Sequence, residues 1–133
     1  MRAGRGAGDA LSEVLEGLAA HELSELAAEM GPAFGERVLA RFDETWREGL
    51  VAMNQAVQGR EARVLRDAAH RVRGAAAMLG AAAVARRAAD LEAASARDDW
   101  HGAQALLVRF EVECQAAAVA LDALFSSLVK VAR

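Results

Sequence analysis

A chain of 133 residues fits one domain, with enough mass for a core that needs no disulfide or metal staple. The net charge of −3 and the pI of about 5.6 argue against a nucleic-acid binder. The single cysteine, Cys114, excludes an intrachain disulfide and a multi-cysteine zinc site, and fits a reducing cytoplasm.

Apolar residues make up 54% of the chain, and many of them are alanine. Alanine is the best helix former and buries little area, so the composition points to an all-α protein with closely approaching helices. Residues Met1–Gly8 carry two arginines and three glycines with no long apolar run after them, which reads as a loose tail rather than a signal peptide. The initial methionine and this tail favour a free-standing protein. No segment reads as membrane-spanning.

The structured domain is expected over residues 9–133. Asp9 can cap a first helix in which Leu11, Leu15 and Leu18 keep helical spacing. The piece His21–Met30 continues it or forms a separate short helix. Gly31-Pro32 ends that segment, and Pro32 suits the first turn of the next.

The second long helix is predicted from Pro32 to Gln58, with Phe34, Val38, Phe42, Trp46, Leu50, Met53 and Val57 as its apolar stripe and Gly59 as its stop. A third runs from about Arg60 to Leu79. Its seam is Leu65, Ala69, Val72, Ala76 and Leu79. Gly80 breaks the pattern, and a fourth helix follows from about Ala81 to Ala96, with Val84, Ala88 and Leu91 inward. Asp98 or Asp99 caps the last helix, whose stripe is Leu107, Phe110, Cys114, Ala117, Leu121, Leu124 and Leu128. Short connections make neighbours antiparallel. The expected architecture is an up-down-up-down four-helix bundle with an additional short N-terminal helix.

Three histidines are present, and none has metal-ligand spacing with another. His21 and His101 read as surface residues. His70 is different in its surroundings. At roughly 100° per residue it lies about 140° from the seam, so its ring points away from the core. On the same side lie Arg63, Arg66 and Asp67 before it, and Arg73, Gly74 and Ala77 after it. A histidine with the ordinary pKa of about 6.5 is largely neutral at pH 7 and serves as a nitrogen nucleophile. Arginines attract phosphoryl oxygens, and glycine and alanine leave room for a partner. A mid-helix glycine costs about 1 kcal/mol against alanine, so Gly74 points to a use for smallness.

The stretch Ala69-His70-Arg71-Val72-Arg73-Gly74-Ala75-Ala76-Ala77-Met78-Leu79-Gly80 resembles the signature of histidine-containing phosphotransfer (HPt) domains. Leu91-Glu92 resembles the Leu-Glu or Leu-Gln pair on the next helix. Met30-Gly31, the Phe42 stripe and the Arg97-Asp98-Asp99 turn extend the likeness over about Leu11 to Leu128. The resemblance implies a phosphorelay carrier. His70 takes a phosphoryl group from a receiver aspartate and passes it to another receiver, Arg73 and Glu92 flank it, and Gly74 leaves room for docking. It implies docking through an apolar patch of Leu11, Leu15, Ala77 and Met78, rimmed by Arg63, Arg66 and Asp67.

The implied partners are response-regulator receiver domains and a hybrid sensor histidine kinase. No intrinsic cofactor is expected, magnesium belonging to the receiver, and no autonomous kinase activity, since no phosphate-binding loop is visible. The resemblance also implies a cytoplasmic monomer. Arg73 stands where the family usually has lysine, and Arg71 where it often has a small hydroxyl residue. Two other readings fit the bare helices: an adaptor that docks on a receiver without transfer, and a purely structural bundle.

Overall fold

The computed structural model describes Glu25 and residues 27–132, with side chains as far as Ser127 apart from Pro32. The expected tail, the Asp9 cap, Leu11, Leu15, Leu18 and His21 lie outside the described residues, as does the side chain of Leu128.

All regular structure among the described residues is helical. Residues 27–30 are helical and stop at Gly31, whose φ of 90° glycine adopts without strain. Helix α1 then spans Pro32–Gly59, α2 Ala62–Leu79, α3 Ala82–Ala96 and α4 Trp100–Ala132. Each packs on the next, and α4 closes the ring against α1. α2 and α4 therefore lie across the bundle from one another.

The helix ends follow from local chemistry. The left-handed stop after α1 falls on Arg60 (φ 53°), one residue beyond Gly59, and the Glu61 amide donates to the Ala56 carbonyl at 2.8 Å. Gly80 (φ 68°) ends α2 in the same way, with the Ala81 amide donating to Ala76. Asp99 caps α4, its Oδ1 accepting from the Gly102 amide at 2.9 Å. Asp98, the other candidate, takes a positive φ of 51° in the turn before it.

The predicted stripes form the core. Trp46, Met53, Leu65, Val72, Val84, Leu91, Phe110, Cys114 and Leu121 are fully buried, with alanines from every helix between them. Trp46 keeps its indole N–H satisfied by Asp43 Oδ1 at 3.0 Å. Small residues set the helix spacing. A methyl added at Gly49 would come within 2.6 Å of Val72 Cγ2, so α1 and α2 meet where a side chain is missing. Gly35 faces the Phe125 side chain in the same way across the α1–α4 contact.

An ion-paired clamp joins α3 to α4. Arg87 donates through Nε to Glu113 Oε1 at 2.7 Å and through Nη2 to Oε2 at 3.1 Å, and its Nη1 reaches Asp90 at 2.8 Å. This fork geometry is the strong form of the pair. The hydrogen bond to Glu113 holds the Arg87 guanidinium above its ordinary pKa, against the opposing effect of burial.

Candidate functional site

His70 stands on the outer face of α2, between buried Ala69 and exposed Arg71. Its side chain is 75% exposed. The core seam of α2 (Leu65, Ala69, Val72, Ala76) fixes this direction: burying those residues turns the His70 position outward.

Glu92 comes to it from α3. His70 lies ten residues before Gly80 and Glu92 eleven after Ala81, so the turn at Gly80-Ala81 brings the two positions level. The Glu92 side chain is 15% exposed, and both its oxygens are engaged. Oε1 accepts from His70 Nδ1 at 2.8 Å, and Oε2 accepts from Arg73 Nη1, one helical turn further along α2. Behind it, the buried Ser95 hydroxyl donates to the Glu92 backbone carbonyl at 2.6 Å.

A carboxylate is an acceptor only, so the contact assigns the proton to His70 Nδ1. Nε2 is then the ring nitrogen that carries a free lone pair and points away from Glu92. The triad thus does two things on geometry alone. It fixes the tautomer, and it holds the ring in one orientation.

The ground around the ring is open. A methyl built at Gly74 meets nothing within 4 Å, in contrast to Gly35 and Gly49. Ala77 is exposed, and Met78 is 87% exposed. Arg63, Arg66 and Asp67 are exposed on the N-terminal side of His70. Arg66 and Asp67 pair with each other at 3.2 Å. The expectation of three arginines available around His70 is therefore sharpened: Arg73 is committed to Glu92 and Arg66 to Asp67.

Sequence reasoning gave Glu92 no contact of its own; only its family position marked it. The clamp around Arg87 and the packing glycines were missed altogether. Both had a signal. Arg87 falls between Val84 and Leu91 in the inward phase of α3, and Gly49 falls between Trp46 and Met53 in the α1 stripe. Among the described residues no group of three or more metal-ligating side chains is assembled.

A family model for the Hpt domain matches residues 37–128, more than half of the chain. The chain belongs to the Hpt domain family. The matched segment holds His70, Arg73, Gly74 and Glu92 and runs through all four helices. No curated protein and no solved structure matches significantly. Membership assigns the Hpt chain a histidine phosphotransfer role in phosphorelay signalling. No described helix is long and apolar enough to cross a membrane.

Proposed function

We propose that this Hpt chain is a cytoplasmic phosphocarrier that accepts a phosphoryl group on His70 Nε2 from a receiver-domain aspartate and passes it to a second receiver. The observation that carries the reading is the exposed imidazole held from behind by Glu92, with open surface at Gly74. Connections of two or three residues between long helices support an antiparallel up-down-up-down order, with residues 9–133 as one domain.

The step balances without a base. The Nε2 lone pair attacks phosphorus, the N–P bond forms, and the P–O bond to the aspartate breaks. The aspartate leaves as a carboxylate with the bonding electron pair. The proton stays on Nδ1, so the ring becomes cationic as it takes the phosphoryl group. Glu92, 2.8 Å from Nδ1, faces that developing charge. In onward transfer the same proton makes the ring a good leaving group, because it departs as neutral imidazole. Arg73 holds the carboxylate in place, and its remaining N–H donors are available to phosphoryl oxygens.

Gly74, Ala77 and Met78 provide the docking ground, with Arg63, Arg66 and Asp67 as its polar rim. A flat partner can seat there without displacing a side chain at Gly74. The receivers and a hybrid sensor kinase are the proposed partners, the receiver bringing its own magnesium.

The test is incubation with a panel of phosphorylated receivers. Label should move to the wild-type chain as an acid-labile phosphoramidate, and His70→Gln should take up none while keeping its helical circular dichroism. Equal labelling of both chains overturns the reading. Receiver binding without label in wild type assigns the chain to the adaptor class instead.

A further inference from the structure

Helix α3 carries Glu92, and it has little apolar relief with which to hold its place. Eight of its fifteen residues are alanine. Of its buried residues, Ala83, Ala88, Ala94 and Ser95 are small, and only Val84 and Leu91 project as knobs. A smooth helix slides and turns against its neighbours at small loss of contact, and one residue of slip moves it about 1.5 Å. A slip of that size stretches or misaligns a 2.8 Å contact such as that of Glu92 Oε1 with His70 Nδ1.

α4 supplies what α3 lacks. Leu107, Phe110 and Leu121 seat α4 in the core and make it a fixed frame. Arg87 binds α3 to that frame by a fork, Nε to Glu113 Oε1 at 2.7 Å and Nη2 to Oε2 at 3.1 Å. The two side chains are only 11% and 21% exposed, so water competes little for the pair. Two parallel bonds between planar groups fix distance and angle together, which a packed methyl does not. Asp90, three residues further along α3, takes Nη1 and steadies the guanidinium. Glu92 follows Arg87 by five residues, about 140° round the helix. One flank of α3 thus carries the fork toward α4, and the other carries the carboxylate toward α2.

We propose that the Arg87–Glu113 fork positions the phosphotransfer site: it sets the level and rotation of α3 on α4, and so places Glu92 against His70 and Arg73. Arg87 acts through the helix and is a positioning residue. The consequence for transfer rests on the role proposed for His70; the placement itself does not.

The test reads the ring directly. Nitrogen NMR of the full chain at mildly alkaline pH, assigned with His70→Gln, tells which His70 nitrogen carries the proton. The wild type should show the Nδ1–H form. Arg87→Met with Glu113→Leu removes the fork without stranding a half-buried charge, so helical circular dichroism should be kept. The Nδ1–H form should give way to a mixture of tautomers, and transfer from a phosphorylated receiver should slow about tenfold. Arg87→Lys keeps the charge with one bond in place of two, and should fall between. Gly35→Ala perturbs the α1–α4 contact at Phe125 and controls for general loosening; it should leave the tautomer as in wild type. A wild-type tautomer in the double variant overturns the proposal, and so does the same mixture in Gly35→Ala. If the double variant does not fold, Arg87→Lys decides: a mixture supports the proposal and a wild-type spectrum overturns it. A wild type that takes no label from any receiver removes the acceptor role of His70, while the tautomer spectra still decide the placement.

Discussion

Glu92 Oε1 lies 2.8 Å from His70 Nδ1, and the contact joins the most exposed member of the triad to a mostly buried one. The carboxylate is fixed before any partner arrives, held by Arg73 on its other oxygen and by the packing of α3 beneath it. An exposed imidazole otherwise samples several rotamers and both tautomers. Here one contact selects the ring orientation and the tautomer together, and places negative charge where the ring becomes cationic during transfer.

Glu92→Gln keeps the size of the side chain and removes its charge. The amide can still accept from Nδ1, so the ring stays oriented. The charge-assisted part of the bond is lost, on the order of 1.4 kcal/mol, or about tenfold in rate. Transfer to His70 should slow by roughly that factor, whereas onward transfer should be as fast or faster, because the cationic phosphorylated ring is the state that loses the stabilising carboxylate. Rapid-quench labelling in each direction checks this. Equal slowing in both directions would contradict a carboxylate that stabilises the cationic phosphorylated ring.

Gly74 and Gly49 should respond oppositely to alanine. Gly74→Ala adds a methyl to open space in mid-helix and should stabilise the fold by up to about 1 kcal/mol. Gly49→Ala drives a methyl to within 2.6 Å of Val72 Cγ2 and should destabilise it by about 1–3 kcal/mol. Thermal melts separate them. Gly74→Leu should keep its melting temperature yet slow transfer severely, since only the partner meets the added bulk. Normal transfer by that variant would show that Gly74 is not docking ground.

The contrast also marks the limit of what the sequence discloses. The helices are legible because α1, α2 and α4 carry stripes that repeat every three to four residues, and because Pro32, Gly80 and Asp99 punctuate them locally. His70 is legible as outward-facing because the α2 seam fixes its phase. Contacts between helices are not local. Whether Gly49 or Gly74 opposes a neighbour depends on which helix lies across from it, and periodicity alone treats both as the same mid-helix glycine. The same holds for Glu92: helical phase gives its direction, while its two partners come from the level at which α2 and α3 pass. Arg60 taking the left-handed stop in place of Gly59 is a shift of one residue that no composition rule specifies.

Cys114 gives the fold a pH dependence at the alkaline end. Burial in the core pushes its thiol pKa up from the ordinary 9.0, with Glu113 and Glu111 adding to the effect. The folded state therefore keeps the proton while the unfolded chain gives it up above about pH 9. The unfolded state binds fewer protons there, so stability falls as pH rises, by up to about 1.4 kcal/mol per pH unit. Well below pH 9 the thiol stays protonated in both states and contributes almost no slope. Denaturant titrations at pH 8 and pH 10 should show a larger loss in wild type than in Cys114→Ala. The native thiol should also resist alkylation until the chain unfolds. Equal losses in the two chains would place the alkaline slope elsewhere.

Arg73 is the position where this chain departs from the usual lysine, and the geometry says what the departure does. A lysine has one ammonium, which must choose between Glu92 and an incoming phosphoryl oxygen. The planar guanidinium holds Glu92 through Nη1 and keeps further N–H donors on other edges. Arg73→Lys should therefore preserve labelling of His70 with a modest loss of rate, about threefold, while the Glu92 contact is shared in time. Arg73→Ala removes both contacts and frees the Glu92 carboxylate to swing, and should slow transfer by about tenfold or more. The double variant Arg73→Ala with Glu92→Gln decides whether the two act as one unit. If Arg73 works chiefly by positioning Glu92, the double variant should be little slower than the slower single one. Multiplicative losses would instead assign Arg73 an independent contact with the phosphoryl group.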